Sequence, residues 1–476
     1  MQIFPAPPIK SFERLQVTEG LLITRDRWQG TQAYHRQRQN FQFQALYQPG
    51  IICGLGVTVV AAPEEIEAQY RDGRWLQIQP GIAIDAAGNP IVVPRPEVFQ
   101  LRSTPQPKSP QPKIPQQKTP QQKTPQPDTV VYLVLNYVDP DDLKYPPDQE
   151  TVPETFRIIE KTALDTLDVE LCRIVLTDSA QDLGLATNVY QPTPQTLDHR
   201  YRLPVRSRPH GTVRVAQITA VPARDRAVHK GLSHLLKAAD SLYPRLQGEG
   251  PIQPIFHQSL AGTKLAPYDL IMCPHEQVPD LTKAALPTLK HYLLSGGILC
   301  FCADISGTQL ENLHTIRQEL MLALSDLKSL PDDTTVEASL LSEIEATETE
   351  ITRQIQGFCR SIFQFAAQMK YPIDGFGQLE RTHPLLTEPF LFAQLPKINH
   401  QPVHIFCWGG IVLMIGNLVN AWQLDERLTL SRETIRTTQE LGINLLHFAR
   451  RHHHLAQLQA PTAQHPSLKN IASSGG

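Results

Sequence analysis

Residues 268–307 read YDLIMCPHEQVPDLTKAALPTLKHYLLSGGILCFCADISG, and this stretch decides the fold. It predicts a buried strand at 269–273, a helix over about 279–295, a Gly296-Gly297 stop and a second buried strand at 298–302. Both strands are continuous apolar runs, the pattern of a parallel sheet covered on both faces rather than one with a wet side. Each run gives way to polar residues, His275 and Glu276 after the first, Asp304 and Ser306 after the second. In an open α/β sheet, ligands sit beyond the carboxyl ends of the strands. Two neighbouring strands would then deliver an imidazole and two carboxylates to one edge.

Working outward, 212–219 predicts the first parallel strand and 225–242 the following helix, with Val228, Leu232, Leu235, Leu236 and Ala239 on one face. A short strand is expected at 253–256 and a helix at 308–325. The acidic run DDTTVEASLLSEIEATETE (332–350) continues as an exposed helix to about 369. Charge of that density marks a solvated face. A hairpin follows over 403–415, turning at Gly409-Gly410. A closing helix over about 431–455 carries Ile435, Leu441, Leu445 and Phe448 on its apolar side and is weakened by Gly442. The fold class is therefore α/β: a C-terminal doubly wound parallel sheet of the flavodoxin or amidotransferase kind, plus a β-rich N-terminal domain.

The chain has 476 residues, enough for two or three domains that each bury a core. Apolar residues make up 41% and the formal charge is −3, so no global attraction draws nucleic acid or anionic lipid. No apolar run reaches the roughly 18–20 residues of a membrane span. The start, MQIFPAPPIKSFERLQ, lacks the basic and apolar blocks of a secretory signal. Seven cysteines in no disulfide-framework spacing suit a reducing compartment, so a cytoplasmic location is expected.

Between Pro105 and Thr129 a five-residue unit repeats: PQPKS, PQPKI, PQQKT, PQQKT, PQPDT. Proline at that frequency blocks helix and central strand, leaving an extended, solvated tract. It is either a docking peptide bearing Lys108, Lys113, Lys118 and Lys123, or an expanded linker, which costs little stability. Upstream, 28–46 is expected to be helical through its first half. Strands are expected at 51–60, 75–79, 81–85 and 91–93, the 75–79 strand exposing Trp75, Gln77 and Gln79 while burying Leu76 and Ile78.

YHRQRQNFQFQALYQPGIICGLGV (34–57) and LQIQPGIAIDAAGNPIVVP (76–94) carry a resemblance. They are similar to a β module of proteins associated with contractile injection systems and phage-tail-like baseplates. There, a YHRRR-type helix and a G-x-V-x-GL-x-V strand precede a PG-x-A-x-D-x-x-G hairpin. The strand at 129–138, the acidic Asp139-Pro-Asp-Asp142 loop and the 157–177 stretch fit its continuation. The resemblance implies an attachment module over 1–185, with the Pro/Gln/Lys tract (103–129) as an insertion. A linker (186–210), an α/β domain (211–456) and a disordered tail (457–476) complete the expected organisation. The bare residues support turn and bulge roles for Gly50, Gly54, Gly56, Gly81 and Gly88, and a hairpin-closing role for Asp85.

The C-terminal half resembles an uncharacterised bacterial domain family of class I glutamine-amidotransferase-like fold. The landmarks are YDLIMCPHE, LKHYLLSGGILCFCAD, Arg381-Thr-His-Pro-Leu385 and TTQELGINLLHFARRH, in that order. The resemblance implies fold rather than activity. Glutamine hydrolysis needs a cysteine on a sharp glycine-flanked turn and a late His-x-Glu pair. Here the strand ends Phe301-Cys302-Ala303-Asp304, and His383, His400, His404 and His447 lack an acid two residues on.

The candidate ligand-binding residues are therefore His275, Glu276, Asp304, Ser306 and His383, with His275 and Asp304 as the only catalytic candidates. Helix capping and loop hydrogen bonds are the structural alternative for each. Cys273, His275 and Asp304 make a metal set only on paper; buried cysteine is commonly a core residue, and no metal site is assigned. The His452-His453-His454 run at a helix end reads as a solvated complement to the helix dipole. No cofactor is indicated. The expected role is a non-catalytic accessory or structural protein with protein partners, no nucleic acid and no transmembrane segment. The alternative is a hydrolase-like enzyme using His275 and Asp304, with or without a metal.

Overall fold

The computed structural model describes residues 7–67, 71–104, 129–146, 151–177, 182–220, 225–281, 283–327, 334–373, 375, 377–424, 428 and 430–459. The chain forms two compact units that divide between Arg208 and Pro209. Among the described residues, no helix is long and apolar enough to cross a membrane.

The N-terminal unit begins with helix α1 (Arg25–Leu46), whose N-cap Thr24 accepts a hydrogen bond from Arg27 N. It runs unbroken through the half expected to be irregular, and none of its residues is buried. Polar ties hold it: Arg36 to Asp139 at 3.0 Å, and Gln44 to the Ala87 carbonyl. Three small antiparallel sheets follow. Gly50–Gly54, Gly81–Ile84 and Pro90–Val93 form one, and Val57–Val60, Trp75–Ile78 and Glu97–Gln100 the second. Thr129–Val138 lies between Thr155–Lys161 and Val169–Leu176 in the third, which Leu197–Asp198 extends.

One apolar core containing Leu55, Leu76, Ile91, Leu133, Leu171 and Leu197 unites the three sheets. Strands on both sides of the proline tract thus feed the same core; the tract itself and its four lysines lie outside the described residues. Trp75 is buried rather than exposed, although Gln77 on the same face of the strand is only half-buried. The break between Gly50–Gly54 and Val57–Val60 is a turn that needs glycine. Gly54 has φ +64, and a Cβ there would meet the Pro80 carbonyl oxygen at 2.0 Å. Asp85 closes the next hairpin, accepting from the Ala87 and Asn89 N–H groups. Much of 186–208, expected as linker, pairs back into this unit: Leu197 with Ile174, and Arg206–Ser207 with Tyr47–Gln48.

The second unit is built on a six-stranded mixed sheet. Across it the strands run Gln253–Phe256, Val215–Thr219, Leu270–Pro274, Ile298–Ala303, Ile411–Ile415 and His404–Trp408. The first five are parallel and the last is an antiparallel edge. Helix α2 (Arg226–Leu242) packs on one face, where Leu232 and Leu235 join Leu270, Met272, Ile298 and Cys300. Helix α3 (Leu286–Leu294) packs on the other, where Leu289 and Tyr292 join Ile271, Leu299 and Phe301. Alternation of side chains along each strand supplies both cores, which is why the runs read as continuously apolar.

Helix α4 (Gln309–Leu327) and the 36-residue α5 (Thr334–Met369) pack together on the α3 side. The expected solvated face of α5 is real, yet a seam of Ile344, Ile351, Ile362, Phe365 and Met369 is buried. A short helix α6 (Pro384–Thr387), α7 (Leu418–Trp422) and the closing α8 (Arg432–Gln459) cover the α2 face. The expected helix over 279–295 is shorter. A 3-10 turn, His275–Asp280, comes first with Pro279 inside it, and α3 starts only at Leu286 with Pro287 in its first turn. Proline suits a first turn and disrupts an interior.

A candidate ligand site at the carboxyl edge of the sheet

The connections after Val215–Thr219 and Leu270–Pro274 leave on opposite faces, so a crevice opens between those two strand ends. A cavity of about 250 Å³ occupies it. Asp225 enters from the loop after Val215–Thr219, Glu276 and Asp280 from that after Leu270–Pro274, Asp304 from that after Ile298–Ala303 and Asn420 from α7. Apolar walls come from Val228, Pro274 and Val419.

Asp225 is buried and held rigidly. Its Oδ2 accepts from Thr219 Oγ1 (2.5 Å) and Ala220 N (2.9 Å), and its Oδ1 from Gln277 Nε2 (2.7 Å). Gln277 Oε1 in turn lies 2.8 Å from His257 Nε2. Asp304 is fixed differently: Oδ1 accepts from Ser306 N (2.9 Å) and Oδ2 from Asn420 Nδ2 (2.8 Å). Ser306 sends its hydroxyl to Asn417 Oδ1 (3.1 Å). Asp304 does not cap α4: its Oδ1 closes the turn at Ser306, Thr308 Oγ1 accepts from Glu311 N at the helix start, and Asp304 lines the cavity.

Of the five predicted ligand residues, Glu276 and Asp304 line the cavity. His275 leaves the crevice. Its Nε2 lies 2.5 Å from Ser361 Oγ on α5, and its ring meets Phe358 edge-on with centroids 4.9 Å apart. Because the Ser361 hydroxyl already donates to the Phe358 carbonyl, His275 is the donor in that pair. Burial pushes its pKa down. His383 is equally occupied, accepting from Leu385 N through Nδ1 as the N-cap of α6 and resting on Phe448. The imidazole at 275 and the carboxylate at 304 emerge from adjoining strands, but on different sides of the sheet edge.

No family model matches the chain, and no curated protein matches it. The site must be judged on its own chemistry. Cys302 is the thiol on the cavity wall, and burial, helped by Asp304, pushes its pKa up to about 12. A thiol of that kind is a protonated, poor nucleophile. Cys273 is fully buried and its pKa is raised well above the ordinary range by desolvation. Among the described residues, no group of three or more His, Cys, Asp or Glu side chains is placed to hold a metal ion.

Sequence reasoning missed Asp225, Gln277, Asp280 and Asn420. The first opens the helix expected over 225–242, whereas α2 begins at Arg226 and Asp225 stands at its N-cap position. Its side chain forms no capping bond and reaches the strand end instead. Asn420 carried no signal, since its role depends on α7 folding over Asp304.

Proposed function

We propose that the chain is a non-catalytic cytoplasmic accessory protein, whose N-terminal module docks on a phage-tail-like assembly. Its α/β domain, of amidotransferase-like layout, holds a cationic group in the crevice. The observation that carries the ligand reading is the convergence of Asp225, Glu276, Asp280 and Asp304 on one cavity beside a protonated Cys302. Carboxylates without a nucleophile suit recognition of an ammonium or guanidinium group, by charge-assisted hydrogen bonds. That group belongs either to a free amine or to a partner's lysine or arginine.

Calorimetry with spermidine, and separately with N-acetyl-lysine amide and N-acetyl-arginine amide, distinguishes the sources. Saturable binding that weakens with salt and drops in Glu276→Gln, without a change in melting temperature, is the expected result. Absence of binding by all three probes, or binding indifferent to Glu276→Gln, overturns the reading.

Docking is supported by α1 and the segment before it. Ile9, Val17, Leu22 and Trp28 are all more than half exposed on a helix and arm that bury nothing of α1. Wild-type protein should co-sediment with purified tail-like particles and a Leu22→Ser/Trp28→Ser variant should not; wild type remaining in the supernatant refutes docking. The hydrolase alternative would require His275 and Asp304 on one substrate, and the Ser361 and Phe358 contacts of His275 give it no support.

A further inference from the structure

We propose that the groove between α5 and the His404–Trp408 edge strand binds a small aromatic carboxylate. The groove lies apart from the acidic crevice and encloses about 540 Å³. That is within the range of about 300–1,000 Å³ found for sites that bury small organic ligands. Its apolar lining is Ile355, Cys359 and Phe363 from α5 and Phe406 from the strand.

The aromatic part is braced. Phe406 stacks on Trp408 with an interplanar angle of 10° and centroids 5.9 Å apart, and Phe363 meets the same indole at 63° and 5.4 Å. Rings held this way offer a flat ligand a surface that loses little freedom on binding.

Charge chooses the ligand's other end. Arg360 stands on the lining, exposed, and pairs with no carboxylate of the described residues. A guanidinium beside an aromatic wall recognises a carboxylate through two parallel hydrogen bonds, and no acidic side chain lines the groove to compete.

Part of the lining is polar and unsatisfied. His404 lines the groove, and its Nε2 is enclosed without a hydrogen-bond partner. Its ring stacks on that of His314, whose own Nε2 is likewise enclosed and unpartnered. The Cys359 thiol, raised to about 11 by burial, adds no reactive group. The groove therefore binds and does not transform.

The test uses the full-length protein and 2-naphthoate as probe, with 2-naphthamide as its uncharged isostere, read by titration calorimetry. Saturable binding of naphthoate is expected, weakened about tenfold or more in Arg360→Gln, with naphthamide binding at least that much more weakly. Thr352→Trp, on the exposed side of α5, should fill the groove and abolish binding while leaving spermidine binding at the crevice unchanged. The proposal is overturned by no saturable binding at millimolar naphthoate, by equal binding of the amide, or by binding that survives both substitutions.

Discussion

Gln277 Nε2 donates to Asp225 Oδ1 at 2.7 Å, joining the loops that follow Val215–Thr219 and Leu270–Pro274 across the switch point of the sheet. The bond spans 52 residues of sequence and is buried. Asp225 also receives the Thr219 hydroxyl and the Ala220 N–H, so one carboxylate sets the shape of the crevice wall.

Asp225→Ala should therefore destabilise the α/β unit by about 2–4 kcal/mol, since it strands several buried donors at once. Gln277→Leu removes one donor and should cost less. Urea unfolding measures both; a change under about 0.5 kcal/mol for Asp225→Ala would show that the wall is held by something else.

Acid should weaken the fold through His314. In the folded chain its pKa is pushed down to about 4 by burial, then by His404 and Arg317. In the unfolded chain it titrates near 6.5. Between those values the unfolded state binds more protons, so stability is full above pH 6.5 and falls as pH drops toward about 4. His404 shifts the same way through burial. Neighbouring charges on α4 and α5 are Glu311, which receives the Gln401 amide, and Arg317, which pairs with Glu348. Wild type should lose about 2 kcal/mol more than His314→Leu between pH 8 and pH 5. Parallel losses in the two proteins would contradict the assignment.

The parallel sheet was legible because continuous apolar runs ending at Pro274 and Ala303 have few other uses. The acidic edge was half legible, through Glu276 and Asp304. His275 was misjudged for a reason that sequence does not contain: Ser361, its partner, lies 86 residues on, in a helix that reads as mainly solvated. Trp75 failed similarly, because alternation assigns residues to faces without saying which positions on the outer face are covered. The histidine run at 452–454 shows the same limit. His452 Nδ1 reaches the Gly296 carbonyl at 2.7 Å and His453 is buried, whereas only His454 is exposed.

His453 leads to a third prediction. Its Nδ1 lies 2.8 Å from Asp269 Oδ1, whose other oxygen accepts from Arg214 N, with Arg450 3.8 Å away. This cluster pins the end of α8 to the start of the Leu270–Pro274 strand. Asp269→Ala should cost about 2–4 kcal/mol, since it strands the buried His453 imidazole and the Arg214 N–H at once, and His453→Leu distinctly less, because Asp269 keeps its other partners. Hydrogen exchange in 446–459 should accelerate in both variants. Unchanged protection there would mean that apolar packing alone holds the helix.

Alkylation with iodoacetamide tests the chemistry of the crevice directly. Only the thiolate reacts, and a thiol pushed up to about 12, as Cys302 is, presents about one part in ten thousand of it at pH 8. Cys407 is raised equally, Cys359 to about 11, and Cys172, Cys273 and Cys300 are buried. Cys53 is the exposed one of the seven. Mass spectrometry should therefore find a single fast adduct at Cys53, absent in Cys53→Ser, with the other six modified only on unfolding. A fast adduct on Cys302 would place an activated nucleophile between Asp304 and Pro274, and the crevice would then have to be treated as a reaction site instead of a binding one.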